Sequence, residues 1–234
     1  MRCKKGSSHF EMIVGFVFFI GFVFFLFMTL SPWDNSSLPN SAITGLYDTF
    51  EQKVTTNLSS VFVKTSYTGT ANCFSIEFPE GFFKYRIGDK NSFVTKLGGV
   101  NIDSNLNSGK LNLKKEDNFF RVAISPEFTD ENVASCENLP DFELGGVIEI
   151  ELFSYSKLNE MKQKYYNDYE GLKKELRLPP IFDFAIIPEG LPEIKMEPVN
   201  GIPDGVDVLA KDYVVKVLRS NGAISNERFN IRIW

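Results

Sequence analysis

Nineteen consecutive residues, Met12 to Leu30, carry no charge, and seven of them are phenylalanine. Only Thr29 has a polar side chain in that run. As a helix rising about 1.5 Å per residue it would extend about 28 Å, close to the roughly 30 Å hydrocarbon core of a bilayer. A helix that is apolar all round has no face to offer water, so this stretch predicts a segment buried in lipid or inside an assembly. Arg2, Lys4 and Lys5 precede it and Ser31-Pro32-Trp33-Asp34 follow, a basic asymmetry that predicts a cytoplasmic N-terminus and an external C-terminal part. A cleaved secretory signal is the competing reading. The run exceeds the usual apolar core of roughly 7–15 residues, and Pro32 directly follows the only small-residue cleavage candidate.

In front of the apolar run stand a short basic leader ending in Gly6, then Ser7, and an acidic residue at Glu11. With the uninterrupted helix behind them, these residues resemble the N-terminus of a type IV pilin, particularly the archaeal kind with a class III signal peptide. The resemblance covers residues 1 to about 31. It implies cleavage between Gly6 and Ser7 by a prepilin peptidase, with the apolar helix kept on the mature protein as membrane anchor and filament core. It also implies that Glu11 pairs with the freed α-amino group of a neighbouring subunit. That role has a physical basis, because a carboxylate at the edge of an apolar bundle is costly unless paired. On the plainer alternative, Glu11 is the last interfacial residue before a signal anchor and Gly6 belongs to its leader.

The expected organisation is therefore a leader at 1–6, a transmembrane or filament-core helix at 7–31, a proline- and serine-rich linker at 32–40, and an extracytoplasmic domain at 41–234. The fold class expected is α+β: one N-terminal hydrophobic helix, then a mainly antiparallel β domain with two amphipathic helices. The first of these helices is predicted from Ser41 to about Ser60, where Ile43, Leu46, Tyr47, Phe50, Val54 and Leu58 recur at steps of three and four. The second is predicted from about Lys157 to Leu176, striped by Leu158, Met161, Tyr165, Tyr169, Leu172 and Leu176. Glu160 with Lys164, and Glu170 with Lys174, sit there at the favourable four-residue spacing.

Between the two helices, and after the second, short β-branched and aromatic runs predict strands. These are Val61–Val63, Cys73–Phe78, Phe82–Ile87, Phe93–Leu97, Leu111–Leu113, Phe119–Ile124, Val147–Phe153 and Phe182–Ile187. Pro188 to Gly205 reads as an irregular loop. The chain then closes in a hairpin, Tyr213–Arg219 and Phe229–Ile233, around Asn221-Gly222, a pair suited to a type I′ turn.

Net charge is −5, and the basic leader makes the remainder more acidic still, which argues against nucleic acid as partner. Cys3 falls in the leader, while Cys73 and Cys136 lie in the external part, where they can pair or remain buried thiols; an oxidising compartment favours the bridge. No CxxC motif occurs and His9 is the only histidine, so no metal centre, cofactor or histidine-based catalysis is expected. Asn57-Leu58-Ser59 fits an N-glycosylation acceptor by pattern. The function expected is a pilin-like structural subunit of a surface filament or secretion pseudopilus, meeting like subunits, membrane lipid and a prepilin peptidase; the alternative is a membrane-anchored binding or adhesion domain that does not polymerise, and an external enzyme is not expected.

Overall fold

The computed structural model describes residues 7–29, 37–66, 72–83, 91–107, 109–129, 131, 133, 136–139 and 141–234. The chain divides into two compact units, Met1–Ser41 and Ala42–Trp234. The elements in order are α1 (Ser7–Thr29), α2 (Ser37–Val54), β1 (Thr55–Thr65), β2 (Cys73–Glu77), β3 (Asn91–Lys96), β4 (Asn101–Ile102), β5 (Ser104–Asn107), β6 (Lys110–Lys114) and β7 (Phe119–Ser125). There follow β8 (Glu137–Asn138), β9 (Phe142–Leu144), β10 (Ile148–Ser154), α3 (Tyr155–Asn167), α4 (Tyr169–Glu175), β11 (Phe184–Pro188), a 3-10 turn (Pro192–Ile194), β12 (Leu209–Leu218) and β13 (Ile224–Ile233).

The expected fold class is corrected in two respects. Among the described residues strand, at 40%, outweighs helix, at 29%, so the structure is mostly β. Among the described residues, moreover, no helix is long and apolar enough to cross a membrane. This overturns the expected transmembrane helix and the single-pass cell-membrane location with a cytoplasmic N-terminus.

In the second unit one nine-stranded sheet runs β11-β13-β12-β10-β1-β7-β3-β4, with β9 paired to β1 beyond the end of β10. A smaller sheet runs β5-β6-β2-β8. The long strand β1 joins the two halves of the large sheet. It pairs antiparallel with β10 over Thr55–Ser60, with β7 over Ser59–Lys64 and with β9 over Val63–Thr65.

The large sheet carries two cores. Toward β11–β13, Phe153, Val217, Phe229, Ile231 and Phe184 pack with Ile43, Leu46 and Phe50 of α2 and with Leu158, Met161 and Leu172 of α3 and α4. Toward β3 and β4, Val61, Val63, Phe120 and Val122 meet Phe74, Ile76, Leu111 and Leu113 of the small sheet. Leu58 is three positions from Val61 and so points to the other face, into a small cluster with Ala123, Leu152, Leu218 and Phe128.

Three local expectations change. The helix predicted to run to about Ser60 stops at Val54 and becomes strand at the next residue, because Val54-Thr55-Thr56 opens a β-branched run that favours extended backbone. Thr55 Oγ1 donates to the Glu51 carbonyl at 2.6 Å and so satisfies an acceptor at that helix end. The helix predicted over Lys157–Leu176 is broken at Asp168, which ends α3 and caps α4 by accepting from the Gly171 N–H at 3.0 Å. Lys164 pairs with Glu175 at 3.0 Å rather than with Glu160, and Lys53 of α2 reaches the same carboxylate at 2.9 Å. Lys53 and Lys164 hold the Glu175 carboxyl below the ordinary range. The strand predicted at Phe82–Ile87 is bend at Phe82 and Phe83, and its remainder lies outside the described residues.

The terminal hairpin forms with a different turn from the one expected. Gly222 N–H donates to the Arg219 carbonyl at 2.9 Å, Arg219 N–H donates to the Ala223 carbonyl at 3.0 Å, and Gly222, not Asn221, has positive φ, +78°. Three residues thus link the closing pair, a type I turn followed by a left-handed glycine, in place of the two-residue type I′ turn. A Cβ at Gly222 would stand 2.4 Å from Cε1 of the Phe93 ring. Gly222→Ala is expected to cost about 2 kcal/mol or more, from left-handed strain and displacement of that ring, read as a lowered urea midpoint with unchanged m.

Candidate functional site

The residues singled out at the N-terminus meet the structure as follows. Gly6 lies outside the described residues, and Ser7 is the first residue of α1. Glu11 is exposed one turn into the helix. Beyond it most of the apolar side chains stand open, Met12 75% exposed, Phe18 76% and Phe24 67%, while Val23 and Leu26 are half-buried. Fully burying one such side chain is worth roughly 1.5–3 kcal/mol. A helix with this many open phenylalanines is therefore strongly driven to find cover.

In the second unit Cys73 and Cys136 form a disulfide with Cα atoms 5.2 Å apart, a span within the ordinary bridge range. The bridge sits beside the parallel pair of β2 and β8, where Phe74 faces Glu137, and ties that two-residue edge strand to the small sheet. Of the acidic residues close in sequence, Glu77 pairs with Lys110 at 3.3 Å and Glu143 with Lys64 at 3.2 Å, both on exposed strand faces. Such pairs contribute little and point to no chemistry.

Asn57 is half-buried on β1, opposite Glu151, in a groove of about 570 Å³ between the end of α2 and the strands β1, β10 and β12. Leu58 and Ser59 of its triplet are fully buried, and the Ser59 hydroxyl has no hydrogen-bond partner. At the groove mouth Tyr47 stacks on Tyr213 with ring centres 3.7 Å apart and planes 5° from parallel. Tyr47 also donates to Glu51 Oε1 at 3.2 Å. Burial, then the Glu51 charge, push its phenol up to about 12.

A second cavity, about 460 Å³, opens among Tyr165, Tyr166, Tyr169, Asp183, the 198–203 segment and Trp234. Here Tyr169 donates to Asp183 Oδ1 at 3.1 Å and accepts from the Phe184 N–H at 3.0 Å, while Tyr165 donates to the Phe184 carbonyl at 2.9 Å. Burial raises both phenols above the ordinary tyrosine value. A group whose folded pKa is raised contributes stability that is intact below its unfolded pKa, about 10, and is lost as pH climbs toward the folded value. Stability is thus expected to fall steeply above about pH 10, with part of the tyrosinate absorbance appearing only as the chain unfolds. A simple titration of all eight tyrosines at the free-phenol pKa would refute this.

Another site residue left no signal in the sequence. Glu127, nearly buried, accepts from the Ser154 hydroxyl, and from the Ser156 N–H and hydroxyl, each at 3.0 Å. Ser154 in turn accepts from Lys157 N–H at 3.1 Å as N-cap of α3. A carboxylate from the turn after β7 therefore holds the start of a helix 27 residues later, complementing the positive end of its dipole. Only the paired position of β7 and β10 on either side of β1 brings them together.

Neither the buried carboxylate nor the two cavities presents a nucleophile aligned with a base, and among the described residues no group of three or more His, Cys, Asp or Glu side chains could hold a metal ion. The feature with the strongest physical demand for a partner is the open apolar helix α1. Comparison with protein-family models, with curated proteins and with solved structures finds no match to this chain.

Proposed function

We propose that this chain is a structural subunit that assembles with like copies through α1, in the manner its N-terminal residues share with type IV pilins. The observation that carries the reading is a helix of 23 residues most of whose described apolar side chains are exposed, Phe16, Phe18, Phe19, Phe22, Phe24 and Phe25 among them. Copies of the same helix are the cover that suits it best. They supply an equally apolar, phenylalanine-rich surface.

Glu11 supports the choice of partner. Cleavage after Gly6 by a prepilin peptidase creates a new α-amino group at Ser7, four residues before the carboxylate. In a bundle of parallel copies, offset along the axis, the amino group of one copy meets the carboxylate of the next. The pair neutralises both charges and sets the stagger. The β-rich second unit, braced by its disulfide, is the globular part of each subunit.

Intact-mass measurement and N-terminal sequencing of the protein from its native cells test the first step, and filament yield by sedimentation and electron microscopy tests the second. A mature chain beginning at Ser7, with Glu11→Gln lowering filament yield while the second unit stays folded, supports the reading. A chain beginning at Met1, or one cleaved at Ser7 whose yield is indifferent to Glu11→Gln, overturns the processing or the pairing respectively.

A further inference from the structure

The cavity beside α3 and Trp234 is independent of any assembly through α1, and its walls are unusually well held. Tyr166 is half exposed, yet its hydroxyl reaches the carbonyls of Lys195 and Glu197 at 3.2 and 3.3 Å, which fixes the ring across the opening. The backbone of Trp234 is tied twice to Asp183, N–H to carbonyl at 3.1 Å and carbonyl to N–H at 2.9 Å. Tyr169, which lines the cavity, stacks on Phe184 with ring centres 5.5 Å apart and carries the Lys173 ammonium over its ring at 5.5 Å, so the open aromatic faces are those of Tyr166 and Trp234. Pro198 and Val199 close the far side, and Val199 is 91% exposed at the rim.

The polar groups here limit what can bind. Asp183 Oδ1 already accepts from Tyr169 and from the buried Lys173 ammonium at 3.0 Å, so the local charge is balanced and a cation gains little. The three tyrosine hydroxyls are committed within the protein, which leaves a polyhydroxylated ligand short of convergent partners. The donors that carry no side-chain bond among the described residues are the Trp234 indole N–H and the Asn200 amide. The cavity therefore offers rigid aromatic and proline faces and a few donors for carbonyl oxygens.

We propose that this cleft binds an extended, proline-rich peptide segment. A polyproline II strand matches both properties. Its pyrrolidine rings pack on Tyr and Trp faces, its carbonyls are free to accept because the helix has no internal hydrogen bonds, and it loses little conformational entropy on docking. The volume, about 460 Å³, lies within the range of small ligand sites.

Isothermal titration calorimetry of the full chain, kept dispersed in a non-ionic detergent, with an oligoproline peptide and separately with soluble oligosaccharides of glucose and N-acetylglucosamine, tests the assignment. The expected result is saturable binding of the peptide alone, weakened about tenfold or more by Tyr166→Ala. Because Tyr166→Ala also removes hydroxyl bonds, Val199→Asp provides a second variant: the residue is almost wholly exposed, so the fold is kept while a charge is set on the apolar rim, and a similar weakening is expected. Binding of an oligosaccharide in place of the peptide, saturable binding of neither, or peptide binding indifferent to Val199→Asp each overturns the proposal. None of these outcomes bears on whether α1 assembles, since the heats report on the second unit.

Discussion

Phe50→Ala is expected to destabilise the second unit by about 3–5 kcal/mol, the cost typical of deleting a fully buried phenylalanine. Phe50 has no exposed surface. Its ring stands edge-on to Phe153 of β10 at 6.0 Å and tilted against Phe229 of β13 at 6.3 Å, while those two meet each other at 5.8 Å. These three rings belong to a helix and to two strands that are separated in the sheet by β12, so truncating one removes contacts from three elements together. The surrounding backbone is tied by the ladder of β12 and β13 over ten residue pairs and has little freedom to collapse into the space. Urea unfolding followed by circular dichroism measures the effect. A loss under about 1 kcal/mol would mean that α2 is not seated on the sheet as described.

Removing the disulfide is expected to have a similar effect in a different place. The bridge between Cys73 and Cys136 closes a loop 63 residues apart in sequence, for which loop-closure entropy gives about 4 kcal/mol. The loop contains β3 to β7, so an open chain gains freedom across the whole of the second core. The double variant Cys73→Ser/Cys136→Ser is therefore expected to lose the small sheet first, because β8 has only two residues paired to β2 and no other neighbour in the sheet. Hydrogen exchange resolves this. Protection should fall in Cys73–Glu77 and Lys110–Lys114 while the β12–β13 hairpin keeps its own. Uniform loss across both regions would show one cooperative unit instead of two cores.

Much of the local structure is legible because it depends on neighbours in the chain. The strand at Cys73–Glu77, the strand at Phe119–Ser125 and the hairpin that ends the chain fall on alternating runs bounded by turn residues, and the stripe from Ile43 to Phe50 is a buried helix face. The errors arise where a local preference meets a nonlocal one. Leu58 continues the helical spacing of α2, yet it belongs to β1, because Thr55–Ser60 finds a partner strand in β10 and the helix has no equivalent to offer. Asp168 stops a helix whose apolar stripe runs on to Leu176, because its carboxylate caps the next helix in place of prolonging the first. At Asn221-Gly222 the dipeptide signals a turn but not its length, which the register of the two strands decides.

The candidate sites divide in the same way. Ser7 and Glu11 are visible from sequence because the apolar run after them sets a reference for their positions, whereas the peptide cleft joins Tyr166, Asn200 and Trp234, which no spacing connects. The buried Glu127 at the start of α3 is likewise invisible, since an isolated acidic residue after a strand reads as surface.

What the sequence determined by itself is composition and period: an apolar helix that must be covered, amphipathic stripes, alternating strands and two cysteines able to meet. What only the tertiary structure decided is the division of one nine-stranded sheet between a helical core and a second sheet, and with it every contact between distant residues. The reason is physical. Periodicity specifies which side chains leave water, at a cost set by area, but many partners can satisfy that demand equally. The choice among them is made by strand register and by the few buried polar groups, such as Glu127, that tolerate only one arrangement.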